Sequence, residues 1–373
     1  MLRAKRLLTF AASSVFALCG CRDDEPPANG SAVTLRESAG SERDRASSGS
    51  GSEGSRHTLE QLLTKGSSLL AVLPDTQTYS ARFPGIFAAQ TGWLRARAAE
   101  LDVRYVVHLG DIVDKDEPRQ WRRARDAMRL LDGAVPYALT TGNHDYSDRR
   151  ERKTRLNEFF SFEQARAAAG FGGAYRPGEL ENTYHLFSAG ARDFLLLSLE
   201  WGPRQSVVDW ANRVMEQHQE RLGILTTHAY LYEDDRRYDH TDESLRQRHA
   251  PHRTTPDAND GEELWQKLVR RHRFVMVLSG HVLGDGEGYL ESRTDVGSVC
   301  HQMLSNYQMR KLGGQGYLRL IEFSPGGGGV KVFTYSPLYD RLLEAKGHEL
   351  AFELDPGPGA DTRIATAKVA ADP

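Results

Sequence analysis

Five short apolar runs in this chain each end in a polar cluster, and that recurrence constrains the fold more than any other feature. Ser68-Leu-Leu-Ala-Val-Leu73 runs into Pro74-Asp75-Thr76-Gln77. Val103 to Leu109 runs into Gly110-Asp111-Ile112-Val113-Asp114, and Pro136 to Thr140 leads to Gly142-Asn143-His144-Asp145. The runs at 222–226 and 274–278 lead to Thr227-His228 and Gly280-His281. Apolar runs of this length read as buried strands. Between the first three lie stretches with apolar residues at helical spacing. One is 84–101, with Ile86, Phe87, Trp93, Leu94 and Leu101; the other is 118–131, with Trp121, Ala124, Met128 and Leu131. A βαβαβ start implies parallel strands with helices packed outside. In open α/β sheets ligands bind beyond the carboxyl ends of the strands, so these five clusters are placed to share one crevice.

The second half is richer in strand. Tyr184 to Phe187 and Phe194 to Leu199 flank Ala189-Gly190, a hairpin signal. Helices are expected at 206–220 and 261–272, and further strands at 288–292, 298–304, 316–323 and 330–335. The pattern predicts an α/β fold, a four-layer α/β/β/α sandwich of two mixed sheets, over residues 66–340. With 39% hydrophobic and 27% charged residues among 373, a chain of this kind can bury a sizeable core and is not a disulfide scaffold. A net charge of −3 does not favour a sequence-independent nucleic-acid binder.

The N-terminus reads as an address. Arg3, Lys5 and Arg6 precede an apolar run from Leu7 to Leu18, shorter than a membrane span. It ends in Leu18-Cys19-Gly20-Cys21, which resembles a bacterial lipobox, although Cys19 stands where a small residue is usual. Residues 1–21 are therefore expected to be a lipoprotein-type signal peptide. The lipid anchor would form on Cys21 and hold the exported protein on a membrane surface. Ordinary signal cleavage, leaving a periplasmic or secreted protein, is the alternative. Residues 22–58 are rich in Ser, Gly and Pro and lack Phe, Trp and Tyr, the composition of a disordered tether. Residues 355–373 read as a loose tail. The remaining cysteine, Cys300, sits in a strand-like stretch and reads as a buried thiol.

Each polar cluster alone has an ordinary explanation. Asp75 can cap a helix, Asp111 can be a turn residue, and His228 and His281 can be satisfied core histidines. Five such coincidences at five strand ends point instead to a metal site, because buried charge needs a partner or an ion. Carboxylate, amide and imidazole ligands suit Mn, Fe, Zn or Mg.

The order Asp-x-Gln, Gly-Asp-x-x-Asp, Gly-Asn-His-Asp, His, Gly-His resembles the calcineurin-like metallophosphoesterase superfamily. The resemblance implies one or two divalent ions and attack of a metal-activated hydroxide on a phosphoester. It implies that Asp111 bridges two ions, that Asp75 and Gln77 serve the first, and that Asn143, His228 and His281 serve the second. It makes His144 the group that protonates the leaving oxygen, with Asp145 orienting it and Asp114 supporting the loop. Two departures are visible. Gln77 stands where the family usually has His, and Leu283 stands where the family has the second His of Gly-His-x-His. Both belong to the first ion, which is expected to bind more weakly. The fourth position of Gly110-Asp111-x-x-Asp114 is not Tyr, unlike purple acid phosphatases, and no Asp-Arg-Gly follows Val113, unlike the eukaryote-type Ser/Thr phosphatases. A phosphorylated substrate is the expected partner. A metal- or phosphate-binding surface lipoprotein with weakened catalysis is the alternative, kept open by Leu283. Arg236, Arg237, Arg246, Arg248 and Arg253, with His240, His249 and His252, crowd 232–257. They read as a phosphate-holding lid or as a solvated loop. Asn306-Tyr307-Gln308 read as pocket rim.

Overall fold

The computed structural model describes residues 58–245, 250–344 and 347–355. The signal sequence with Cys21, the tether before Thr58, Arg246, Arg248, His249 and the tail beyond Asp355 lie outside the described residues. No helix among the described residues is long and apolar enough to cross a membrane.

Fourteen strands are described: β1 Ser68–Leu73, β2 Val103–His108, β3 Tyr137–Leu139, β4 Phe171–Ala174, β5 Thr183–Ala189, β6 Arg192–Ser198, β7 Leu222–Thr226, β8 Phe274–Ser279, β9 Glu287–Arg293, β10 Val299–Ser305, β11 Leu318–Phe323, β12 Gly329–Ser336, β13 Arg341–Leu342 and β14 Glu349–Glu353. They form two seven-stranded sheets. The first runs β13-β12-β11-β1-β2-β3, with β14 also on β12; the second runs β4-β5-β6-β7-β8-β10-β9. β1, β2 and β3 are parallel, and β11 joins β1 antiparallel. In the second sheet β6, β7, β8 and β10 are parallel, and the hairpin partners β5 and β9 are antiparallel. Both sheets are mixed.

Period-two alternation sorts the side chains into layers. Leu69, Ala71 and Leu73 of β1 join the core beneath the helices Pro84–Arg97 and Pro118–Met128, with Phe87, Leu94, Trp121 and Met128. Leu70 and Val72 face the other way, into a core shared by the two sheets with Phe194, Leu196, Ile224 and Met276. Leu195 and Leu197 of β6 pack under the helices Gln205–Gln217 and Gly261–Lys267. These three apolar layers separate four structural ones, helix, sheet, sheet and helix. β1 is buried at every residue because both of its faces are covered.

The expected boundary at residue 340 falls short. β13 and β14 extend the first sheet to Glu353, and Asp355 accepts a hydrogen bond from the Val299 N–H at 2.7 Å. β14 alternates exposed and half-buried residues on a sheet edge, too weak a pattern to stand out in a polar sequence. At the other end, the short helix Leu59–Leu62 begins where the tether was expected to end, and Leu59 is buried. Cys300 is a buried free thiol on β10, as its setting suggests.

His185 gives a test of the inter-sheet layer. It is buried, its Nδ1 lies 2.6 Å from the Tyr105 hydroxyl and its Nε2 lies 2.8 Å from Thr183 Oγ1. Burial pushes its pKa down to about 3. The folded ring is then neutral where the unfolded ring, near 6.5, is charged. The unfolded state binds the extra proton below that value, so stability is full above pH 6.5 and falls as pH drops toward 3. At pH 5 the loss is roughly 2 kcal/mol from this residue alone. Urea midpoints should show that slope in the parent and a flatter one in His185→Gln. Identical slopes would contradict the assignment.

Candidate metal centre

The parallel strands aim their carboxyl ends at one crevice, and the chain turns there in conformations that other constraints must hold. After β2, Gly110 (φ 95°) and Asp111 (φ 47°) both take the left-handed region, and after β8 His281 does the same (φ 72°). A non-glycine residue there costs on the order of 1–2 kcal/mol, so two in one crevice point to function. Gly142 and Gly280 let the backbone press against carboxylates. A Cβ on Gly142 would stand 2.1 Å from Asp111 Oδ1, and one on Gly280 would stand 2.2 Å from Asp75 Oδ1.

Asp75, Asp111, His228 and His281 meet. His228 Nε2 lies 3.2 Å from Asp111 Oδ1 and 3.0 Å from His281 Nδ1. His228 Nδ1 donates to the Leu109 carbonyl at 2.8 Å, which fixes the tautomer and turns Nε2 inward. The Asp75 carboxylate accepts the His281 N–H at 3.2 Å and the Asn306 side-chain amide at 3.0 Å. Asp111 Oδ1 accepts the His144 N–H at 2.9 Å. Burial pushes the Asp75 carboxyl up to about 7. Burial pushes Asp111 the same way, but His228 beside it outweighs this and holds it below the usual carboxylate range. Burial would lower His228, yet Asp111 and Asp75 raise it to about 9. A crevice that makes imidazole this basic is one that favours a cation.

The amides give the sharper sign. Asn143 is buried, and neither Oδ1 nor Nδ2 has a hydrogen-bond partner. Gln77 is buried; its Nε2 donates to Gln308 Oε1, and its Oε1 has no partner. Two orphaned amide oxygens beside two carboxylates and two imidazoles fit a hard or borderline divalent ion. Asp111, His228 and His281 already offer ligand atoms within 4.8 Å of one another.

A model of the calcineurin-like phosphoesterases matches residues 69–285. The chain belongs to this family. A protein of Bacillus subtilis (strain 168) described as uncharacterized, YvnB, is 31% identical over 305 residues. The match covers 77% of this chain and 22% of YvnB, so the chain spans about a fifth of that relative's length. Among solved structures, a purple acid phosphatase from yellow lupin (Lupinus luteus) seeds is 11% identical, with a TM-score of 0.48, over 78% of this chain and 54% of that one. A 5'-nucleotidase precursor from Thermus thermophilus is 15% identical, with a TM-score of 0.41, over 77% of this chain and 55% of that one.

Two expected roles within the family pattern need correction. Asp145 does not reach His144. Its carboxylate is fully buried and accepts three backbone N–H groups, from Gly142 at 2.7 Å, Val113 at 2.9 Å and Ile112 at 3.2 Å. It staples the Asp111 loop to the Gly142 loop, and burial pushes it up to about 8. The group that orients His144 is Asp114, whose backbone carbonyl accepts from Nδ1 at 2.8 Å and whose carboxylate lies 3.6 Å away. Position 145 directly follows the histidine, but Asn143–Asp145 is a 3₁₀ turn, in which successive side chains point about 120° apart.

Leu283 is 45% exposed and supplies nothing to the crevice. Asp285 Oδ1 accepts the Glu287 N–H at 3.0 Å, and among the described residues the carboxylate and imidazole groups that cluster in the crevice are Asp111, His228 and His281, without Asp285. Asn306 and Gln308 do approach, with Gln308 Nε2 at 3.4 Å from Asp75. In sequence these two were only rim residues. They become part of the site because β10 returns from β9 to lie parallel to β8, so its carboxyl end points the same way. His108 is structural. Gly110 N–H donates to its Nδ1, and its Nε2 meets Thr76 Oγ1, which donates to the Ile112 carbonyl. Arg237 is not a phosphate grip. It packs 4.2 Å over the Trp265 ring and binds Glu262 and Gln302. Arg236 pairs with Asp234, and Arg253 is exposed.

Proposed function

We propose that this chain hydrolyses a phosphoester with the help of divalent ions held in the crevice. The observation that carries the reading is the pair of orphaned, buried amide oxygens of Gln77 and Asn143, on the segments that follow β1 and β3, the two strands flanking the one that leads to Asp111, in a chain of this family. Asp75, Gln77 and Asp111 would hold one ion, and Asp111, Asn143, His228 and His281 the other. Bound there, the ions supply Lewis acidity toward phosphoryl oxygens and lower the pKa of water. The chain's own part is to position and to move protons. Because Asp114 holds a proton on His144 Nδ1, Nε2 is the atom left to carry a proton to the departing oxygen. Arg149 donates from Nε to the Asn143 carbonyl at 2.8 Å, which keeps a guanidinium beside the same turn for a phosphate to meet.

The test is hydrolysis of p-nitrophenyl phosphate and of an alkyl phosphodiester by the metal-loaded protein. Both should proceed, and EDTA should stop both. His144→Ala should slow the alkyl ester by about 10²–10⁴-fold and the nitrophenyl ester far less, because nitrophenolate leaves without a proton. No hydrolysis of any ester by fully loaded protein would leave the binding-protein reading standing.

We propose also that the two ions bind unequally. The side of the crevice around Asp75 offers amides where the other side offers two imidazoles, and a neutral amide donates less charge. Titration of metal-free protein with Mn²⁺ should resolve one tight and one weaker equivalent. Two equivalents of equal affinity would contradict this.

A further inference from the structure

The segment crowded with arginine and histidine holds a second cluster that the phosphoesterase site does not use. His240, His252, Asp260 and Glu263 each offer a ligand atom, and these atoms lie within 4.8 Å of one another. His240 Nδ1 is 2.8 Å from Asp260 Oδ2 and 3.8 Å from Glu263 Oε2, and His252 Nε2 is 2.8 Å from the same Glu263 oxygen. For comparison, four N and O ligands at zinc distances on a tetrahedron stand about 3.4 Å apart. The two imidazoles stack with centroids 3.9 Å apart and planes 17° apart, and both rings present a nitrogen to Glu263 Oε2.

The surroundings are arranged as a ligand shell would be. Each carboxylate has one oxygen facing the histidines, and that oxygen also accepts a backbone N–H. Asp260 Oδ1 accepts the Glu263 N–H at 3.0 Å, capping the helix Gly261–Lys267, while Oδ2 faces His240. Oδ2 also accepts the His240 N–H at 2.7 Å. Glu263 Oε1 meets the Lys267 ammonium at 2.8 Å, while Oε2 faces His252 and accepts the Asp260 N–H at 3.2 Å. His252 Nδ1 is buried and has no hydrogen-bond partner, so Nε2, against Glu263, is the ring atom that meets the cluster. Asp260 is itself buried.

We infer that His240, His252, Asp260 and Glu263 form a second, structural metal site of the N₂O₂ type that takes Zn²⁺. Two imidazoles and two carboxylates suit a borderline ion better than Ca²⁺ or Mg²⁺, which prefer all-oxygen shells. With neutral imidazoles and Lys267 counted, the cluster carries a net charge of about −1 that a divalent cation reverses. The four ligands span residues 240–263. An ion there would fasten the stretch after Tyr238 and the turn at Pro251–Arg253 to one helix. Tyr238 is buried with its ring 6.4 Å from that of His281, so the fastening reaches the wall of the phosphoesterase crevice.

The experiment uses the full chain with Asp111→Asn throughout, so that the phosphoesterase crevice is disabled and zinc in the cluster can be counted by itself. After exposure to zinc and gel filtration, the expected content is one zinc per chain. Adding His252→Ala should bring it to zero, as should adding His240→Ala, whose ring is the more exposed. Co²⁺ in the Asp111→Asn chain should give intense tetrahedral d–d bands, and either histidine substitution should remove them. Zinc should slow trypsin cleavage within 232–257 several-fold, and only while both histidines are present. The inference is overturned if Asp111→Asn holds no zinc, or if a folded His252→Ala or His240→Ala chain keeps it. Absence of hydrolysis by the metal-loaded parent chain, with this zinc retained in Asp111→Asn, would count against the phosphoesterase reading alone.

Discussion

Asp111→Asn should lower metal-dependent phosphoester hydrolysis by about 10³-fold or more while leaving the chain folded. The side chain keeps its size, and Oδ1 can still accept the His144 N–H at 2.9 Å. What is lost is the negative charge that both proposed ion sites share. Asp111 faces His228 Nε2 at 3.2 Å, and with an amide there His228 loses the largest influence raising it. Metal content and rate should therefore fall together, while thermal unfolding of the metal-free protein changes little. A variant that keeps both ions and the parent rate would remove Asp111 from the centre of the site.

The second large effect is on stability rather than chemistry. Asp145→Ala should cost about 3–5 kcal/mol, a large share of what a domain has to lose. Three backbone donors from two loops converge on this carboxylate, and in the variant Gly142, Ile112 and Val113 lose their acceptor. The loops that carry Asp111 and Asn143 would no longer be held in register, so metal affinity should fall with stability. Urea unfolding measures the first and Mn²⁺ titration the second. If Asp145 instead oriented His144, the variant would keep the urea midpoint and lose only rate.

These expectations separate what could be read along the chain from what could not. Strands, their order and the polar residues at their ends were legible because each is a local pattern: an apolar run, then Gly-Asp or Gly-Asn-His. The four-layer sandwich followed, since apolar runs that long need cover on both faces. The placing of Asp75, Asp111, Asn143, His228 and His281 just beyond the ends of five strands was legible, because each follows an apolar run. The partners of those residues were not. That Asp114, and not Asp145, holds His144 depends on how one short turn twists, and the neighbouring Asp gives no sign of it.

Asn306 and Gln308 enter the crevice only because β10 lies parallel to β8, a pairing fixed by the β9–β10 hairpin across the sheet edge. The cluster of His240, His252, Asp260 and Glu263 is likewise invisible at its irregular sequence spacing. Residue types and local periods are set by the sequence position by position. Distances between residues far apart in the chain are set by which strands pair and which loops close, and there the tertiary structure alone decided.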